Sequence, residues 1–133
     1  MAKILVVDDE ADVAYLVKKI LTGINHEVEI ANSGKEALDK IHSGSESGYK
    51  PDLILLDVMM PEMDGWEVSR RIKENPSTKD VIITMFTVRS EDEDKVTSLD
   101  RGLADWHISK PFKKDTLIRT VEWLLTKPLK RED

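Results

Sequence analysis

The chain has 133 residues, enough for one domain around one core, and its 40% hydrophobic and 35% charged residues exclude a disordered or fibrous class. A net charge of -6 disfavours direct contact with nucleic acid or an anionic membrane surface, and no apolar run approaches the roughly 18 residues that membrane insertion requires. With no cysteine there is no disulfide framework or thiolate metal site, and the opening Met1-Ala2-Lys3 is unlike a signal peptide, so a cytoplasmic protein is expected.

Ile4-Leu5-Val6-Val7 is a short apolar run that ends in the acids Asp8-Asp9-Glu10. Val13, Leu16, Val17, Ile20 and Leu21 then recur at helical steps, with one of the acids to cap the N-terminus and Gly23 to stop the helix. His26 to Ala31 alternates, with Val28 and Ile30 on one side, and predicts an edge strand. Ser33 and Glu36 have the spacing of a capping box ahead of a helix carrying Ala37, Leu38 and Ile41, which should end before Ser43-Gly44. The polar stretch from Ser43 to Pro51 reads as a surface loop.

Leu53-Ile54-Leu55-Leu56 is too short to span a membrane and predicts a strand buried on both faces, which delivers Asp57 to its carboxyl end. A carboxylate placed there can be a nucleophile, a metal ligand, a general base or simply a wetted loop acid. Asp64 and Glu67 offer a cap for a helix with Val68 and Ile72 inward, ended by Asn75-Pro76. Val81 to Phe86 is a further apolar run and ends in Thr87; Ser90 to Glu93 could cap a helix that buries Val96 and Leu99 and stops at Gly102. Trp106 to Ser109 is a half-polar strand candidate before Lys110-Pro111-Phe112, and the last helix carries Leu117, Val121 and Leu124, with Ile118 and Leu125 beside them. Residues 127–133 form a tail after a core of about 3–126.

Five strands alternating with five helices predict an α/β fold with a parallel sheet covered on both faces. Right-handed crossovers put every strand's carboxyl end on one edge, where open sheets of this kind bind ligands. Asp8 and Asp9, Asp57, Thr87 and Lys110 therefore converge. Three carboxylates against one lysine invite a further cation, and all-oxygen ligation at a phosphate site favours Mg²⁺ over Ca²⁺. Trp66 and Trp123 read as packing residues, Met59, Met60 and Met63 as loop and core residues, and His26 and His42 lack partners at metal-ligand spacing.

The acids after the first strand, the segment Asp57-Val58-Met59-Met60-Pro61-Glu62-Met63-Asp64-Gly65, Thr87 and the run Lys110-Pro111-Phe112 together resemble the receiver domain of two-component response regulators. The match covers nearly the whole chain, as one receiver domain over 1–133 of the stand-alone, chemotaxis-regulator-like type. The resemblance implies a flavodoxin-like, doubly wound sheet of order 2-1-3-4-5, with Asp57 as phosphoacceptor and Mg²⁺ as cofactor. It also implies direct Mg²⁺ ligation by Asp9, ligation by Asp8 mostly through water, and a ligand from the backbone carbonyl of Met59. Lys110 would balance phosphoryl charge and Thr87 would read the product as the switch hydroxyl.

The implied partners are a sensor histidine kinase or phosphotransfer protein, and an output protein on the face made by the helix expected near 90–102, the fifth strand and the last helix. A homodimer is compatible with the same pattern. Two positions depart from the family: Val88 stands where Ala is frequent, and His107 stands at the switch position usually held by Tyr or Phe. A Mg²⁺-dependent phosphohydrolase with an aspartyl nucleophile is the nearest alternative, but it commonly needs an acid two residues on, where this chain has Met59. A binding module without phosphorylation is the third reading, and the full set of acid, hydroxyl and lysine speaks against it.

Overall fold

The computed structural model describes residues 1–47, 50–88 and 104–126. Its elements are β1 (Lys3–Val7), α1 (Ala11–Thr22), β2 (Glu27–Ala31), α2 (Gly34–Ser47), β3 (Leu53–Asp57), α3 (Gly65–Lys73), β4 (Ile82–Val88), β5 (Trp106–Lys110) and α4 (Lys114–Thr126). The strands form one sheet in the order β2-β1-β3-β4-β5, and each neighbouring pair is parallel. This is the doubly wound, flavodoxin-like arrangement expected from the chain. The helix expected over Ser90 to Gly102 and the tail 127–133 lie outside the described residues.

Side-chain period decides which core each residue joins. In β3 every residue is buried, because alternate side chains serve opposite faces and helices cover both. Leu53 and Leu55 pack with Ala14, Val17 and Leu21 of α1 and Leu117, Val121 and Leu124 of α4. Ile54 and Leu56 join Ala37, Leu38 and Ile41 of α2 and Trp66, Val68 and Ile72 of α3. Each large aliphatic side chain taken fully from water contributes roughly 1.5–3 kcal/mol, so the central strand anchors both layers.

Several local expectations change. The α2 helix does not stop before Ser43 but runs on to Ser47, so the expected loop is shorter. A glycine inside an established helix costs only about 1 kcal/mol, less than is needed to end it. In α1 the buried stripe is Ala14, Val17 and Leu21, while Leu16 is half exposed. Glu10 occupies the N-cap of α1 but its side chain caps nothing. Trp66 is buried as expected, and Trp123, 42% exposed, packs at the surface edge-on against Trp106.

His26 has a structural task that its sequence neighbours do not reveal. Its Nδ1 accepts the Ala2 N–H at 3.0 Å and its Nε2 lies 2.8 Å from Glu122 Oε2, joining the starts of β1 and β2 to α4. Accepting at Nδ1 leaves the proton on Nε2, the tautomer that donates to the carboxylate.

Candidate functional site

The carboxyl ends of β1, β3, β4 and β5 bring Asp8, Asp57, Thr87 and Lys110 to one edge of the sheet, with Asp9 beside them. Asp8 is fully buried, and its backbone N–H continues the ladder to Ala31 O at 3.1 Å. Its Oδ1 accepts the Glu10 N–H at 2.9 Å, and its Oδ2 accepts from Lys110 Nζ at 3.0 Å. Both oxygens thus have donors. Asp9 is exposed, and among the described residues its carboxylate accepts no hydrogen bond.

Asp57 is 6% exposed and closes β3. The chain then doubles back tightly: Val58 N–H donates to Phe86 O at 3.3 Å, and Gly65 N–H donates to Val58 O at 2.9 Å. A Cβ at Gly65 would fall on the Asp57 carbonyl oxygen and lie 2.9 Å from Met85 Cε, so only glycine fits that return. Asp64 launches α3 by accepting the Glu67 N–H at 3.0 Å, as the capping pattern predicts. Met59, two residues past Asp57, is 60% exposed, and its carbonyl accepts none of the loop's backbone hydrogen bonds.

Lys110 reaches this cluster from the end of β5. Its Nζ lies 3.0 Å from Asp8, 3.5 Å from Asp57 and 3.9 Å from Glu10. The Phe86 ring beneath it, 5.6 Å from the ammonium, stacks on Phe112 at 5.5 Å and 15°, which fixes the platform. Burial alone would lower the Lys110 pKa, but the Asp8 hydrogen bond and the charges of Asp57, Asp8 and Glu10 outweigh it and raise the pKa above its ordinary value. The Asp57 carboxyl is pushed up to about 7, first by burial and then by Asp8, with a smaller push from Asp9; Lys110 opposes this.

One carboxylate oxygen from each of Asp8, Asp9 and Asp57 falls within 4.8 Å of the others. Hard oxygen donors, a protonation cost on the central one and a single neighbouring lysine fit a small divalent cation such as Mg²⁺. Asp8 is already engaged at both oxygens, whereas the exposed Asp9 carboxylate accepts no hydrogen bond among the described residues.

Thr87 and His107 occupy the other face. Parallel pairing sets Met85 opposite His107 and Thr87 opposite Ser109, so Thr87, Met85 and His107 share one face, while Phe86, Asp57 and Ile108 share the other. The Thr87 hydroxyl is buried and has no hydrogen-bond partner among the described residues. The half-buried His107 ring lies 5.8 Å from Trp106 at 11°, and Trp106 meets Trp123 edge-on at 5.0 Å. An apolar cleft of about 440 Å³, lined by Val13, Leu16, Pro111 and Phe112, opens beside Lys110. Its outward Leu16 could not be told from an inward one by helical period.

A fold with two clothed faces and an acid-and-lysine cluster at its switch edge defines a class, and comparison gives the family. The response regulator receiver domain model matches residues 4–122, and the chain belongs to that family. It is 39% identical over 125 residues to response regulator ArlR of Staphylococcus saprophyticus, covering 94% of this chain and 53% of that one. Against the transcriptional regulatory protein ResD of Bacillus subtilis it is 42% identical over 123 residues, covering 92% and 48%. The chain spans about half the length of these curated relatives. The solved structure of chemotaxis response regulator CheY4 of Vibrio cholerae superposes with a TM-score of 0.82 at 33% identity, covering 94% of this chain and 99% of that one. The protein is a signalling receiver domain of a two-component response regulator. Among the described residues no helix is long and apolar enough to cross a membrane.

Proposed function

We propose that Asp57 accepts a phosphoryl group from a histidine kinase or phosphotransfer protein and that the change at its strand end alters a surface read by an output partner. The observation that carries this reading is the placement of a nearly buried carboxylate, held up to about 7, between two further acids and Lys110. A carboxylate oxygen of Asp57 attacks phosphorus as the phosphorus–nitrogen bond to the donor histidine breaks, and the electron pair stays on the imidazole. A bound Mg²⁺ would supply charge neutralisation for the carboxylates and the incoming phosphoryl oxygens. Asp9 and Asp57, with the Met59 carbonyl, would hold it directly, and Asp8 through water.

Lys110 balances charge at the phosphoryl oxygens. Its link to Asp8 and its seat on Phe86 keep it oriented before the donor arrives. The Thr87 hydroxyl, buried without a partner, gains one when a phosphoryl oxygen comes within reach, which gives β4 two arrangements of different energy. His107, on the same face, is the residue into which that change is passed. The apolar cleft beside Lys110 supports a protein donor, because it offers a docking wall next to the lysine that faces Asp57.

The output surface is the face bearing β5 and α4, in a chain read as one cytoplasmic receiver domain. Phosphohydrolase chemistry is the weaker reading: its acid/base position falls on the thioether of Met59, which is 60% exposed. The test is incubation with Mg²⁺ and a small phosphoryl donor, followed by intact mass. One added phosphoryl group, absent from Asp57→Asn and suppressed by chelation, supports the reading; undiminished labelling of that variant overturns it.

A further inference from the structure

The edge of the sheet opposite Asp57 contains an ion pair that touches three elements at once. Lys73 ends α3, its side chain is 10% exposed, and its ammonium lies 2.6 Å from Asp105 Oδ2. It also donates to Val81 O at 2.7 Å and to Lys79 O at 3.4 Å, so each of its three protons has an oxygen. The same Asp105 oxygen accepts the Ile83 N–H at 2.9 Å, while the Asp105 N–H donates to Ile83 O at 2.9 Å. Asp105 therefore clamps one residue of β4 through both its backbone and its side chain, immediately before β5 begins.

The strands that start at this clamp end at the candidate site. β4 runs from Ile82 to Thr87 and Val88, and β5 runs from Trp106 to Ser109 and Lys110. β5 is an edge strand and pairs with β4 alone, so its own ladder resists sliding and tilting less than that of a central strand. An ion pair mostly withdrawn from water is a weak source of stability, because desolvation offsets most of the attraction. What it supplies is direction: charge-assisted bonds at fixed angles, which an apolar contact would lack.

We propose that Lys73 and Asp105 are positioning residues for the switch. They hold the starts of β4 and β5 and the end of α3 as one body, so that a change at Thr87 and Lys110 is expressed at the carboxyl ends of these strands instead of being lost as movement of the whole edge strand. The proposal rests on the phosphoryl-dependent reading above, and it locates the pivot of that change at the far end of β4 and β5.

The experiment uses the full chain with Mg²⁺ and fluoroberyllate as the phosphoryl mimic, with backbone amides followed by NMR and the adduct followed by its fluorine signal. In the wild type, the Thr87, Val88 and Ser109 amides shift while Ile83, Asp105 and Trp106 stay at their mimic-free positions. In Lys73→Met and in Asp105→Asn, each shown to be folded by far-UV circular dichroism, the adduct still forms and the shifts spread to Ile83 and Trp106. A merely structural pair would lower the melting temperature and leave the wild-type shift pattern intact, and that result overturns the proposal. So does a wild type in which Ile83 and Trp106 shift as much as Thr87. If no adduct forms on the wild type, the phosphoacceptor reading fails separately, and native-state hydrogen exchange judges the pivot. The pivot then requires Ile83 and Asp105 to exchange at least tenfold more slowly than Thr87 and Ser109, and Lys73→Met to remove that difference; an unchanged order overturns it.

Discussion

Lys110 stands nearer to Asp8 than to Asp57, with its ammonium 3.0 Å from the first carboxylate and 3.5 Å from the second. Before any phosphoryl group arrives, the positive charge mainly compensates the fully buried acid. The acid expected to do chemistry carries the protonation cost instead.

Removing that lysine strands both carboxylates. Lys110→Met should lower metal-free stability at pH 8 by about 2–3 kcal/mol, somewhat less than a fully buried broken pair because the lysine side chain is 19% exposed. Urea unfolding in chelator measures it, and Mg²⁺ should restore a large part of the loss. Labelling by a small phosphoryl donor should fall in the same variant.

Asp57 gives the metal-free protein a pH dependence of known sign. With its pKa raised from 3.8 to about 7, the folded state holds a proton that the unfolded chain releases between those values. Stability from this group is therefore greatest in acid and is lost as pH rises through about 7, with an upper bound on the order of 4 kcal/mol. Asp57→Asn does not titrate. It should match wild type near pH 4 and exceed it in urea midpoint at pH 8, and equal midpoints at pH 8 would contradict the buried, acid-crowded environment. Mg²⁺ should narrow the gap at pH 8 by binding the wild type better than the variant.

Two threonines of β4 separate packing from switching. Thr84 and Thr87 are both buried with hydroxyls that lack partners among the described residues. Replacing either by Val removes an unsatisfied polar group of similar shape and should stabilise the unphosphorylated protein by about 1 kcal/mol. Only Thr87→Val should abolish the difference in partner binding between phosphorylated and unphosphorylated protein. An intact difference in that variant would remove Thr87 from the switch.

Much of this was legible in the sequence because it depends on period and order. Short apolar runs ending in Asp8-Asp9, Asp57, Thr87 and Lys110 predict strands, and parallel pairing then puts their ends together. The resemblance supplied the strand order. Pair geometry was not legible: no pattern says that Lys110 favours Asp8, that His26 joins Glu122 across the fold, or that Lys73 meets Asp105. Those contacts depend on packing distances between elements remote in the chain. The same limit hid the outward turn of Leu16, since residues three and four apart mark a stripe but not its edges.

Gly65 tests how closely the loop after β3 must approach the site. Gly65→Ala would drive a methyl group onto the Asp57 carbonyl oxygen and toward Met85 Cε. A destabilisation of about 2–3 kcal/mol is expected from this overpacking, together with weaker Mg²⁺ binding as Asp57 and Met59 are displaced. Thermal unfolding and a Mg²⁺ titration followed by tryptophan fluorescence measure the two effects separately.

The most direct measurement is the position of the covalent label. The protein is incubated with Mg²⁺ and a small phosphoryl donor, the acyl phosphate is trapped by borohydride reduction, and the digested peptides are sequenced by mass spectrometry. A single reduced residue at Asp57, absent without Mg²⁺, is expected; reduction at Asp8 or Asp9, or no trapped residue under conditions that label a known receiver domain, would overturn the assignment of Asp57 as phosphoacceptor.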